Sequence, residues 1–209
     1  AALSWLPVGS ARRVLTEMLA PGGPPLRQRI ALLASQERGE DPGAALTAAL
    51  AAEDAELRAI ACRAAGRLGR RDLVATLRLA AEDPDPAVTG WARWALGMFG
   101  DPSGLTRLWD TAATGEDAAM ASADLAARLG PPAETAARLA ALAASERTLP
   151  AALAGAAAAG DPVCLSWVLD VMEWPSAARA TSGDHSRATS GNHSRATSGN
   201  HSRATSGNH

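Results

Sequence analysis

The chain has 209 residues, which suits one domain with an appendage. All 20 basic residues are arginine, a usage typical of GC-rich bacterial genomes, and strand-forming residues are too few to build a sheet. Residues 1–178 carry 16 arginines against 21 acids, and this acidic balance argues against a general nucleic-acid binder. Because no apolar run is long enough to span a bilayer, we expect a cytoplasmic protein without membrane contact.

Glycines recur along the first 160 residues at a nearly fixed period. Similar phrases end at Gly39, Gly69, Gly100, Gly130 and Gly160, with spacings of 30, 31, 30 and 30 residues. A fixed period in this range is the signature of a solenoid of stacked repeats. Each repeat is predicted to form two amphipathic helices, which can bury their apolar faces only against neighbouring repeats.

The periodicity of apolar residues gives the boundaries of eleven helices. In the copy that ends at Gly100, the phrase "DPDP" separates the first helix from the second, because proline does not continue a helix. We expect acids at helix starts to act as N-caps, in particular Asp72, Asp85, Asp101 and Asp161. The predicted helices are 10–20, 25–37, 42–52, 54–68, 71–82, 86–99, 102–113, 116–129, 132–145, 148–159 and 162–173.

The glycine pair in "ALGMFGDP" has two interpretations. A phosphate-binding loop needs a strand before the glycines and usually a lysine after them, and the sequence has neither. We therefore predict that Gly100 ends a helix in a left-handed conformation. Gly97 is expected to let a neighbouring helix approach closely.

Repeats of about 30 residues that end in "LG" and are followed by "DP" resemble the short HEAT-like repeats of phycobilisome lyases, over roughly residues 40–174. The phrases "LRAIACRAAGRLGRRDLVATLRLAAEDPDPAVTGWARWALGMFGD" and "AGAAAAGDPVCLSWVLDVMEWPSAAR" look like a bacterial HEAT-repeat group encoded in type VI secretion clusters. The resemblance implies an all-α, right-handed α-solenoid of two-helix repeats. It carries no catalytic motif over to this chain.

The sequence from Arg179 onward is an octapeptide array with almost no apolar residues. We predict two parts: a solenoid over 1–178, and a low-complexity tail over 179–209 that is disordered. All four histidines lie in this tail, one in each copy. They constitute either a weak metal-binding tract or a product of the repeating unit, and we favour the second interpretation.

The body of the chain offers little catalytic chemistry. Without a histidine before residue 185 it cannot build a Ser-His-Asp or Cys-His nucleophile, and the common zinc sites are absent as well. Cys62 and Cys164 are expected to be reduced, partly buried residues. We therefore predict a protein that is not an enzyme and uses no cofactor or metal.

The second helices of HEAT-like repeats line the concave, partner-binding face. Counting back from each closing glycine places Arg63, Trp94 and Asp124 at equivalent positions on successive second helices, off the apolar stripe. Trp94 is either an exposed anchor or a core residue, whereas Trp91 is predicted to lie in the core. The predicted partner-binding residues are Arg63, Arg67, Arg93, Trp94 and Asp124, since tryptophan and arginine dominate binding hot spots.

Two functions fit these residues. The first is a non-catalytic scaffold or adaptor for a protein partner, within type VI secretion if the finer resemblance holds. The second is a DNA-repair enzyme of the alkylpurine glycosylase type. Such enzymes use a basic groove, aromatic residues and a carboxylate, and Arg63, Trp94 and Asp124 are a similar set. The acidic body and the absence of lysine favour the scaffold and make nucleic acid an unexpected partner.

Overall fold

The computed structural model describes residues 8–20, 22–160 and 166. The chain forms two compact units, Ala1–Leu165 and Ser166–His209. Only Ser166, which is helical, is described in the second unit. The predicted helix 162–173 therefore lies outside the described residues except at this position. The predicted tail and the boundary at residue 178 lie outside them altogether.

The described residues of the first unit are helical and contain no strand, as predicted. A 3-10 turn at Arg71–Leu73 precedes the fifth α-helix. The helices are α1 (Val8–Met18), α2 (Pro25–Arg38), α3 (Ala44–Leu50), α4 (Ala55–Arg67), α5 (Val74–Ala80), α6 (Pro86–Met98), α7 (Pro102–Leu105), α8 (Leu108–Thr114), α9 (Ala119–Leu129), α10 (Pro132–Ala143) and α11 (Leu149–Ala159).

The helices stack as an all-α repeat solenoid. The second helix of each repeat packs on its neighbour: α2 on α4, α4 on α6, and α9 on α11. Each first helix packs mainly on the second helix of its own repeat, as α3 does on α4 and α5 on α6. Between the two layers lies a core of fully buried side chains that includes Leu57, Leu77, Val88 and Leu96.

Three helix ends share one hydrogen-bond pattern. Gly39, Gly69 and Gly100 have φ values of 64°, 70° and 76°, in the left-handed region that favours glycine. The amide that follows each glycine donates to a carbonyl five residues earlier, with N–O distances of 3.0 Å from Glu40, Arg70 and Asp101. This is the Schellman geometry, and it confirms the prediction for Gly100.

Gly130 closes its repeat in a different way. Its φ of −85° and ψ of 160° are extended. The residue before a proline is held away from the helical region, and Pro131 has no amide hydrogen to close the Schellman bond. Gly130 therefore keeps the repeat spacing but differs in conformation from Gly39, Gly69 and Gly100.

The predicted acidic caps are confirmed in part. The Asp85 carboxylate accepts from the amides of Ala87 and Val88, and Asp101 accepts from the amide of Ser103. Asp72 instead lies inside the 3-10 turn and pairs with Arg70, so its prediction as a cap is wrong. Asp161 lies outside the described residues.

The predicted helix 102–113 is interrupted, forming α7 and α8. Near the break the Arg107 amide donates to the Gly104 carbonyl at 3.0 Å, a tightened turn rather than a continued α-helix. Gly104 lies directly against the backbone of α6, where its missing side chain leaves room for Gly97 and Arg93. The close approach predicted at Gly97 is also present, since a Cβ there would lie 3.0 Å from Leu108 Cδ2.

Arginine side chains link successive repeats. Arg58 of α4 donates to both carboxylate oxygens of Asp83, at 2.9 and 3.0 Å, and also to the carbonyls of Ala52 and Glu53. Arg29 of α2 holds Asp54 in the same way one repeat earlier, again 25 residues apart. These two pairs are called the inter-repeat clasps, and each acid also forms part of the turn that starts the next second helix.

The substitution Gly104→Ala tests the contact between α6 and α7. A Cβ at this position would lie against the Gly97 amide nitrogen and 2.7 Å from the Arg93 carbonyl oxygen, and backbone does not give way as a side chain does. We expect a loss of about 1–3 kcal/mol in the free energy of unfolding, measured by urea denaturation. A stabilised variant would contradict the close packing, because alanine is otherwise preferred to glycine in helices.

The clasp between Arg58 and Asp83 predicts an acid-dependent contribution to stability. The hydrogen bonds from Arg58 lower the pKa of Asp83 below its ordinary value. The clasp therefore stabilises the fold above the unfolded pKa of about 3.9 and is lost as the pH falls through the lower folded pKa. We expect Arg58→Met to cost about 1–3 kcal/mol at pH 7 and much less near pH 2.

The matched control for this comparison is Arg138→Met. Arg138 and Glu134 form a pair of 3.7 Å with both side chains more than half exposed, so its loss should cost less than about 0.5 kcal/mol. A destabilisation by Arg58→Met that is independent of pH would show that Arg58 acts through packing and its bonds to the Ala52 and Glu53 carbonyls, and not through Asp83.

Candidate functional site

One row of positions on each second helix is exposed or partly buried, apart from the buried residues Trp94 and Ala151. Positions 13, 9, 6 and 2 before a closing glycine are separated by four, three and four residues, so they fall on one helical face. We call this surface the second-helix face. It consists of Leu26, Ile30, Leu33 and Glu37 on α2; Glu56, Ile60, Arg63 and Arg67 on α4; Ala87, Trp91, Trp94 and Met98 on α6; Asp117 before α9 with Ala121, Asp124 and Arg128 on it; and Arg147 before α11 with Ala151, Ala154 and Ala158 on it.

The part of this face that α2 contributes is apolar and exposed. Leu26, Ile30 and Leu33 have 64%, 45% and 37% of their surface accessible. Ile60 on α4 and Trp91 on α6 continue the apolar row at the position of Ile30 and are partly buried. A contiguous exposed apolar surface of this kind marks an interaction site more often than scattered single residues do.

A groove of about 330 Å³ lies between α4 and α6 near the starts of both helices. Its floor is apolar and aromatic, whereas its rim carries one arginine and three carboxylates. The lining residues are Glu56, Ala59, Ile60, Arg63, Asp85, Ala87, Trp91 and Asp117. Two of the carboxylates are already engaged, since Glu56 pairs with Arg29 and Asp85 caps α6.

Arg63 is the central side chain of this groove. Its guanidinium carbon lies 5.2 Å from the centroid of the Trp91 ring, within the range of a cation–π contact. Its Nε is buried without an acceptor, and no carboxylate in the described part of the chain pairs with it. Desolvation and the charge of Arg67 lower the pKa of Arg63. The negative charges of Glu37 and Asp117 raise it, but by less, so the pKa lies below its ordinary value.

The two tryptophans of α6 differ in burial. Trp94 is the more deeply buried of the two, and Trp91 is partly exposed in the groove. Trp94 is 7% exposed and packs in the core, which is the alternative that the sequence left open, so it is not an exposed anchor. Trp91, predicted to be core, instead lines the groove. The rings meet edge to face at 5.4 Å.

The physical reason is Gly66 on α4. A Cβ at Gly66 would lie 2.6 Å from Trp94 Cζ3, so the missing side chain makes the space that the Trp94 ring fills. Gly66 stands three residues before Gly69, as Gly97 does before Gly100. This recurrence is the sequence signal that could have placed Trp94 in the core and drawn attention to Trp91.

The remaining predicted residues do not form one site. Arg67 is exposed beside Arg63 on α4. Arg93 is half-buried and directs a guanidinium nitrogen to the Ala81 carbonyl, 3.4 Å away in the loop after α5. Asp124 forms a pair of 2.9 Å with Arg128 one turn later on α9. The structure thus brings Arg63, Arg67 and Trp91 together and leaves Arg93 and Asp124 in separate local contacts.

The described residues contain no cluster of histidine, cysteine and acidic side chains suited to a metal ion. Cys62 is a free, buried thiol, and burial raises its pKa to about 12, so it is protonated at neutral pH. Within the same residues no helix has both the length and the apolar character that a membrane span requires.

Residues 43–128, about two fifths of the chain, match the model of the family described as HEAT repeats. These residues are similar to HEAT repeats in sequence. The match covers α3 to α9 almost completely and so includes the groove with Arg63 and Trp91. No curated protein and no solved structure gives a significant match.

The burial of these side chains predicts opposite effects for two substitutions in the groove. Arg63→Met removes a buried donor that costs about 1–3 kcal/mol when unsatisfied, and loses a cation–π contact worth about 0.5–1 kcal/mol. We therefore expect Arg63→Met to leave the free energy of unfolding unchanged or to raise it. Trp94→Ala should lower it by about 3–5 kcal/mol, because it empties the space over Gly66.

Urea denaturation of both variants provides the measurement. A loss of more than about 1 kcal/mol in the free energy of unfolding of Arg63→Met would show that Arg63 stabilises the fold and is not reserved for a partner.

Proposed function

We propose that this protein is a non-catalytic scaffold that binds a protein partner through its second-helix face. HEAT repeats are generally protein-interaction scaffolds, and their stacked helices present extended binding surfaces. The observation that carries the proposal is Arg63, which stacks on Trp91 in a groove and has no carboxylate partner among the described residues. Arginine and tryptophan are the side chains most enriched at binding hot spots.

The absence of catalysis is part of the proposal. The sequence has no histidine before residue 185, and Cys62 is buried and protonated. The acids that the sequence placed at helix starts are engaged locally: Asp85 and Asp101 cap helices, while Asp72 pairs with Arg70. These three acids are engaged in stabilising the repeats, which supports a non-catalytic role.

The setting of the interaction rests on sequence resemblance alone. The phrases around residues 57–101 and 154–179 look like HEAT-repeat proteins encoded in type VI secretion clusters. We propose on this basis a cytoplasmic adaptor for a component of such machinery. The partner-binding residues of this proposal are Arg63, Arg67 and Trp91.

The DNA-repair alternative loses support from the geometry. It depended on Arg63, Trp94 and Asp124 acting together, yet Trp94 is buried and Asp124 pairs with Arg128. The groove also carries the carboxylates of Glu56, Asp85 and Asp117, which repel a phosphate backbone.

Affinity capture tests the proposed function. The full chain, a Trp91→Ala, Arg63→Glu variant and an Arg138→Glu control are immobilised, and proteins retained from a lysate of the source organism are identified by mass spectrometry. We expect a defined set of proteins on the wild-type and control chains and a loss of about tenfold or more on the double variant. Arg138 is a suitable control because it lies on a first helix and is more than half exposed.

Equal retention on all three chains would contradict the assignment of the second-helix face. Retention of nucleic acid with a steep salt dependence would instead favour the DNA-repair alternative.

A further inference from the structure

Most arginines of the described chain have a carboxylate partner. Ten of those from Arg13 onward lie within ion-pair distance of an acid: Arg13, Arg29, Arg38, Arg58, Arg70, Arg78, Arg107, Arg128, Arg138 and Arg147. Two others donate to backbone carbonyls, Arg71 to Phe99 at 2.8 Å and Arg93 to Ala81. In this same range, Arg27, Arg63 and Arg67 remain without an acceptor.

These three side chains lie on two helices that pack on each other, Arg27 on α2 and the other two on α4. Their lack of partners is not a shortage of acids, since residues 1–178 contain 21 acids and 16 arginines. Glu37 and Asp117 act on Arg63 through their charge, yet neither comes within ion-pair distance. Among the described arginines from Arg13 onward, the three without an acceptor therefore lie on this one pair of neighbouring helices.

The same two helices, α2 and α4, also present apolar side chains on the second-helix face. Leu26, Ile30 and Leu33 are exposed on α2, and Ile60 continues the row on α4. We call these four residues, together with Arg27, Arg63 and Arg67, the α2–α4 patch. An apolar floor bordered by unpaired guanidinium groups is complementary to a ligand that carries both apolar side chains and carboxylates.

We propose that the partner segment recognised by the second-helix face is an acidic amphipathic stretch of protein, seated on the α2–α4 patch. This inference rests on the proposed function and specifies its partner. The apolar side chains of the segment cover Leu26, Ile30 and Leu33. Its carboxylates pair with the accessible guanidinium nitrogens of Arg63 and Arg67.

A peptide fits these observations better than a phosphate-bearing ligand. Phosphates would also bind the arginines, but they leave the apolar floor uncovered. The acidic rim of the groove, formed by Glu56, Asp85 and Asp117, opposes a continuous run of negative charge. An amphipathic segment places its charges at the arginines alone.

Selection from a random twelve-residue peptide library tests this inference. The full chain is compared with an Arg63→Glu, Arg67→Glu variant and with Arg138→Glu as the control. We expect peptides selected by the wild-type chain to be enriched in both acidic and apolar residues. A fluorescent copy of one such peptide should bind the double variant about tenfold or more weakly and bind the control unchanged.

The double variant loses the cation–π contact between Arg63 and Trp91, so circular dichroism first verifies that it remains folded at the assay temperature. Selection of neutral or basic peptides, or equal binding to the double variant, overturns the inference. If the selected peptides lack acids but bind a Trp91→Ala variant more weakly, the proposed function is supported. The inference that the partner segment is acidic is then wrong. A library that yields no binder also overturns this inference, and the capture of a folded partner then decides the proposed function separately.

Discussion

The structure depends on the close approach of its second helices. Small residues occupy the positions where these helices meet, so that neighbouring backbones come nearly into contact. A Cβ at Gly66 would overlap the Trp94 ring, and one at Gly155 would lie 3.2 Å from the Ala123 carbonyl oxygen. Alanines such as Ala64 and Ala95 fill the remaining contacts and are completely buried. Protein interiors pack densely, and the alanine-rich composition of the chain achieves that density by bringing helices together.

This packing decides which side chains remain for binding. Large residues on the second helices either enter the core between the two layers, as Leu57 and Leu96 do, or lie on the second-helix face, as Leu26, Ile30, Arg63 and Arg67 do. Trp94 occupies a position of that face and is nevertheless buried, because Gly66 makes room for it. The surface through which we propose that the protein binds is therefore a consequence of how its repeats stack.

The clasps separate structural arginines from those available to a partner. Arg29 and Arg58 hold acids that also shape the start of the next second helix, so their charges are used within the repeats. Arg63 and Arg67 lie on the second-helix face, where no acid of the described residues comes within ion-pair distance of them. The difference follows from position, since a residue near the start of a second helix lies beside the loop that leads into the next second helix, and one near its end does not.

The period and the helix boundaries could be predicted from the sequence, because glycine and proline act locally. Gly39, Gly69 and Gly100 take the left-handed conformation that this local reasoning requires, whereas Gly130 does not, because Pro131 follows it. The interruption between α7 and α8 could not be predicted, since it depends on Gly104 meeting the backbone of α6. The choice between an exposed and a buried Trp94 could not be made from the sequence for the same reason: it is decided by Gly66 on another helix.

Amide hydrogen exchange of the full chain, with and without a bound partner or selected peptide, tests the central claim most directly. If the second-helix face binds, added protection should appear in peptides from residues 25–38, 55–67 and 86–98. Exchange in the first helices, at 74–80 and 132–143, should change little. Protection confined to the first helices, or spread evenly over both layers, would contradict the account.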